Sequence, residues 1–149
     1  MKWVNPPVAY MMHAGVPLLR NAGVHLPGLH AGDRNRVALE AYPGWLARQL
    51  IGRVSYKSDD KAKQTAERAI ARSQLVSRIA RPLPMLDGVC VRLSRSQCER
   101  LVADASGDTV DAVLCMLVAA WAHRQHLAGH ANYGLPPQID GLEGWIAGV

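Results

Sequence analysis

The chain has no Cys-x-x-Cys pair and no arrangement of Cys or His at zinc-ligand spacing. Its three cysteines, Cys90, Cys98 and Cys115, are odd in number, and Cys115 lies inside the most apolar run. This argues against a disulfide framework and a structural zinc, and the expectation is a reduced, cytoplasmic protein. There is no Walker-type phosphate loop and no Gly-x-Ser-x-Gly elbow, so P-loop nucleotide hydrolysis and serine-type hydrolysis fall away. No apolar run reaches the ~20 residues that span a bilayer. Near the N-terminus Pro6, Pro7, His13 and Pro17 interrupt what would otherwise resemble a signal stretch, so neither membrane insertion nor secretion is expected. Internal repeats and low-complexity tracts are also missing.

What is present suits one domain over residues 1–149, with 49% hydrophobic residues, enough for an ordinary core. The formal charge of +5 and the pI near 9.4 favour polyanionic partners, DNA or RNA among them. The chain is organised around a helix that starts near Ser106 and Gly107 and runs through Ala122. Between Val110 and Ala122 its only polar side chain is Asp111. Val110, Val113, Leu114, Leu117, Val118 and Trp121 recur at helical spacing, which describes a helix buried on most faces. An ionised carboxylate at the edge of such a core costs several kcal/mol unless it is paired, hydrogen-bonded or metal-bound. Asp108 stands three residues earlier, in the first turn. Both acids also suit a helix N-terminus, where they cap amides and complement the dipole.

In chain order, Pro6 and Pro7 open a helix whose stripe of Val8, Met11, Met12, Gly15, Leu18 and Leu19 reads as core, kinked at Pro17. Residues 23–32 read as an irregular connection with His25 and His30 in solvent, and 32–35 as a turn. Residues 36–42 alternate as a strand, with Val37, Leu39 and Ala41 on one face and Glu40 near its end. Pro43 stops the strand and opens a short helix closed by Gly52. A long helix is expected over 59–81, capped by Ser58 or Asp59, with Lys61, Arg68 and Arg72 on a basic stripe beside its small-residue face. That stripe is either a solvated surface or a phosphate-contacting edge to which Lys57 and Arg78 contribute. Residues 88–93 form a short strand or an extended connection. Ser94 or Ser96 caps a helix through Ala105, and Trp145 and Ile146 dock the C-terminal segment to the body.

Glu40, Asp108 and Asp111 make a set of oxygen donors suited to Mg2+ or Mn2+, which position a water and neutralise charge on a phosphodiester. Val37-Ala38-Leu39-Glu40-Ala41-Tyr42-Pro43, then Tyr56-Lys57, then Asp108-Thr109-Val110-Asp111-Ala112, then Glu143-Gly144-Trp145-Ile146 resembles, in order and spacing, a domain-of-unknown-function family (number 429) of predicted RNase H-like nucleases. The Asp-x-x-Asp-Ala element is also similar to the final helix of RuvC-type Holliday-junction resolvases.

The resemblance implies an α/β, RNase H-like fold, helix-rich with few strands, and a nuclease in which Glu40, Asp108 and Asp111 hold Mg2+ or Mn2+. Lys57, Lys61, Arg68 and Arg72 would then contact the nucleic-acid backbone. Glu143 and Trp145 would belong to the family signature. In that fold the first strand supplies an aspartate, whereas here no aspartate precedes Asp33. The expectation is therefore a domain incomplete at its N-terminus, whose strand 36–42 lacks its neighbour and exposes an edge to self-association or to a partner chain that completes the sheet. The alternative is a non-catalytic nucleic-acid-binding or protein-interaction module.

Overall fold

A computed structural model describes residues 6–141 and 144–148, with side chains described from Tyr10 onward. The chain is mixed α/β, rich in helix, with one two-stranded parallel sheet among the described residues. It divides into two compact units, Met1–Leu39 with Pro136–Trp145 and Glu40–Leu135 with Ile146–Val149. Among the described residues no helix is long and apolar enough to cross a membrane.

The first unit holds helix α1 (Pro6–Asn21) and strands β1 (Val24–His25) and β2 (Asp33–Val37). The Met and Leu stripe expected as core is on the surface: Met11, Met12 and Leu18 are 73%, 62% and 69% exposed. The two short strands of this unit offer too small an apolar face to cover it. β1 and β2 pair in parallel through a tight loop, Asp33 N–H donating to the Gly23 carbonyl at 2.8 Å and Ala38 N–H to the His25 carbonyl at 3.0 Å. At Gly32 a Cβ would stand 2.5 Å from the Val24 carbonyl oxygen, so the loop depends on glycine there. Those main-chain bonds, not the alternation at Val37, Leu39 and Ala41, set the strand. It therefore begins at Asp33 and ends at Val37, a correction to the strand expected over 36–42.

The second unit is helical: α2 (Pro43–Ile51), α3 (Ala66–Ile79), α4 (Arg95–Ala103) and α5 (Asp108–Leu127). Glu40 belongs to it through one parallel bridge to Ile146, with Ala147 N–H donating to the Glu40 carbonyl at 2.8 Å. α5 buries Val110, Leu114, Leu117, Val118 and Ala122 along one face, as its spacing requires. Leu46 of α2, Leu75 and Ile79 of α3 and Leu86 are fully buried with them in the core. Each such aliphatic side chain contributes about 1.5–3 kcal/mol relative to exposure.

The helix expected over 59–81 is broken. Lys61–Lys63 is a single 3-10 turn whose first residues are held by Asp60, which accepts Ala62 N–H at 3.0 Å, and α3 starts only at Ala66. Residues 59–65 carry one apolar side chain, Ala62, so no buried face rewards helix there, and the local aspartate cap competes with it. Arg72, expected on the basic stripe, points inward and is 4% exposed. Its Nε donates to the Val102 carbonyl and its Nη1 to the Tyr56 carbonyl, both at 2.8 Å. It shares the inner face of α3 with Leu75 and Val76 and ties that helix to the end of α4 and to the segment before Lys57.

α4 opens with a reciprocal capping box between Ser94 and Gln97, as expected of Ser94. The start of α5 is capped by neither Asp108 nor Asp111. Asp104 does it, one carboxylate oxygen accepting Ser106 N–H and O–H at 3.1 and 2.6 Å, the other Thr109 N–H and O–H at 2.9 and 2.7 Å. Bonds from Ser106 and Thr109 hold its carboxyl well below the usual carboxylate range. A depressed pKa means stability present above about pH 4 and lost as pH falls below it. Asp104→Ala is therefore expected to cost about 1–2 kcal/mol at neutral pH, the deficit shrinking as pH falls below about 4, read by urea unfolding across that range.

Candidate functional site

The carboxylate of Asp111 has its explanation in two consecutive residues far away in sequence. Tyr56 O–H donates to Oδ1 at 2.5 Å and Lys57 Nζ to Oδ2 at 2.5 Å. The Tyr56 residue is 7% exposed, and the Asp111 side chain 16%. Three features bring this pair to α5. Arg72 holds the Tyr56 carbonyl, Ser58 N–H donates to the Ala105 carbonyl at 3.2 Å, and Gly107 leaves room for the lysine stem. Gly107 has φ +76, and a Cβ there would meet Lys57 Cβ at 2.6 Å, so both backbone and space require glycine.

Burial first, and then the bond to Asp111, push the Tyr56 phenol well above its ordinary value. The bond to Asp111 raises Lys57, against a smaller opposing effect of burial. Burial also pushes the Cys115 thiol up, so it rests protonated and is a poor nucleophile.

This trio lines one wall of a cleft of about 660 Å3. The rest of the lining comes from α2 and the residues flanking it, Tyr42, Gly44, Ala47, Arg48, Arg53 and Val54 among them. Gly52, with φ 72, closes α2 and reverses the chain so that Arg53 returns to the cleft. Among the described residues the lining holds three cations, Arg48, Arg53 and Lys57, and one carboxylate, Asp111, with which Lys57 pairs. The Arg48 and Arg53 residues are exposed.

The candidates from sequence are dispersed around this feature. Asp111 and Lys57 line the cleft. Asp108 is exposed in the first turn of α5, and Glu40 is exposed at its bridge to Ile146. Among the described residues no three or more His, Cys, Asp or Glu side chains gather in a group that could hold a metal ion. With both Asp111 oxygens engaged by a phenol and an ammonium, Glu40, Asp108 and Asp111 do not fit a divalent cation as they stand. Lys61 is exposed on its 3-10 turn, and Arg68 Nη1 donates to the Lys63 carbonyl. Arg72 is enclosed and out of reach of a phosphate. Glu143 lies outside the described residues. Trp145 is 44% exposed instead of docked.

No protein-family model, curated protein or solved structure matches the chain.

Sequence reasoning missed Tyr42, Arg48 and Arg53. The available signal was the pair of breakers, Pro43 and Gly52, which bracket α2 and place Tyr42 just before it and Arg53 just after it.

Because the Tyr56 phenol is raised, the folded state keeps its proton where the unfolded chain loses it. Stability is full below about pH 10 and falls as pH rises beyond it. Tyr56→Phe is expected to lose about 1 kcal/mol near neutral pH and to show a smaller decline than the parent above about pH 10, measured by urea unfolding with the phenol titrated by absorbance.

Proposed function

We propose that this chain is a nucleic-acid-binding module whose site is the cleft between α2 and the start of α5. The observation that carries the reading is the charge imbalance there: Arg48 and Arg53 are exposed, and the one carboxylate on the wall is matched by Lys57. Such an arrangement favours a polyanion because each phosphate neutralised by a cation releases condensed counterions. The formal charge of +5 acts in the same direction at longer range. Of the cations proposed from sequence, Lys57 contributes as the partner that quenches Asp111, and Lys61 remains available at the surface. Arg48→Ala/Arg53→Ala is expected to weaken binding of a labelled DNA or RNA oligonucleotide with little sequence preference, and to reduce the slope of log K against log salt by about 2. Unchanged affinity and slope in the double variant would sink the reading.

A second reading is the metal-dependent nuclease of RNase H-like type that the family resemblance implies. It is favoured by one observation, that Asp111 lines the same cleft with Asp108 a turn away. On this reading Lys57 must leave Asp111 before Mg2+ or Mn2+ can enter. Calorimetric titration with either ion is the test. Micromolar to low-millimolar binding that Asp111→Asn abolishes is the expected result for the nuclease, and absence of binding by the folded chain leaves the metal-free module.

A further inference from the structure

Tyr42 is the residue of the cleft that neither fold nor charge accounts for. It sits at the N-cap of α2 in extended backbone, makes no side-chain cap bond, and is 49% exposed. Its ring folds back toward the start of the helix. It lies against Gly44 in the first turn of α2, where an added Cβ would be 2.9 Å from Tyr42 Cε2, 3.2 Å from Cζ and 3.3 Å from Oη. Glycine at position 44 lets the ring edge lie this near the helix backbone without being displaced. The result is a half-exposed ring whose edge rests near Gly44 and which borders the same cleft as Arg48 and Arg53.

A half-exposed aromatic ring lining one cleft with two exposed guanidinium groups is a combination suited to single-stranded nucleic acid. Each unpaired base offers a π-face to stack, and its flanking phosphates meet the cations. A duplex keeps its bases stacked on one another, so the ring has no exposed face to meet unless a base is first taken out of the stack. We propose that the cleft binds one unpaired nucleotide of a single strand, the base stacked on Tyr42 and the adjoining phosphates held by Arg48 and Arg53. This rests on the nucleic-acid reading above and adds to it the strandedness and the contact that decides it.

Fluorescence anisotropy with a labelled oligonucleotide of about twelve nucleotides, single-stranded or annealed to its complement, tests the assignment at several salt concentrations. Tyr42→Ala should weaken single-strand binding about tenfold and leave duplex binding within about twofold. Its salt slope should stay that of the parent, because stacking releases no counterions. Tyr42→Phe keeps the ring and should retain parental affinity, which also separates loss of stacking from loss of fold. If Tyr42→Ala leaves single-strand binding unchanged, or weakens single strand and duplex alike, the stacking assignment is overturned. When that happens while Arg48→Ala/Arg53→Ala still lowers the salt slope, the general nucleic-acid reading survives without it. If the parent shows no salt-dependent binding to either form, both are overturned.

Discussion

A carboxylate set into the wall of an apolar helix is the constraint on which the second unit depends. Left unpaired, Asp111 would cost several kcal/mol, and nothing along α5 itself can pair it. The pair must come from elsewhere, and it comes as two neighbouring side chains, Tyr56 and Lys57, delivered 55 and 54 residues away in sequence. The phenol is the more valuable partner. It is buried and donates without carrying charge, whereas the Lys57 side chain is 42% exposed and its Coulomb attraction is screened by water.

Meeting that requirement arranges much else. The segment before Lys57 has to run along the start of α5, and so Gly107 must lack a side chain there. It must also be held from behind, and Arg72 does this by donating to the Tyr56 carbonyl with one nitrogen and to the Val102 carbonyl with another. A guanidinium suits this place better than an ammonium because its fixed planar fork reaches two carbonyls on different elements at once. With the segment pinned, it and the turn after Gly52 line the same open cleft. The cleft is thus a by-product of pairing Asp111, and its charge follows from the same fact: the acid is cancelled by Lys57, which leaves Arg48 and Arg53 unopposed on its lining.

Periodicity made the helical frame legible. The burial of Val110, Leu114, Leu117 and Val118, the bounds of α2 between Pro43 and Gly52, and the Ser94 cap all follow from local pattern. Asp111 was legible as a question, a charge needing a cause, but the answer was not, since no local rule connects it to Tyr56 and Lys57. The errors share that origin. Met11, Met12 and Leu18 satisfy a helical stripe, yet a stripe is core only if another element covers it. The strand at 33–37 owes its place to main-chain bonds with residues 23–25, which side-chain alternation does not record. Asp104 caps α5 from four residues before its first turn, through Ser106 and Thr109, and so takes the role that proximity assigned to Asp108.

Arg72 and Arg48 show why a count of basic residues says little about a nucleic-acid interface. Both are arginines on short helices, and both stand near the Tyr56 to Lys57 segment. One is enclosed, its donors directed to the Val102 and Tyr56 carbonyl oxygens; the other is exposed and lines the cleft. A buried guanidinium donating to two carbonyls is structural whatever its charge, since drawing it out to meet a phosphate would strand those oxygens and open the core. An exposed one retains its hydration and can exchange water for phosphate at little cost. The distinction is set by which face of the helix carries the residue: Arg72 shares its face with Ala71, Leu75 and Val76, whereas Arg48 follows the buried Leu46 and Ala47 and turns out of the core. The cations the core does not use are the ones free to meet an anion, and Arg48 and Arg53 are two of these that share a cleft with Tyr42.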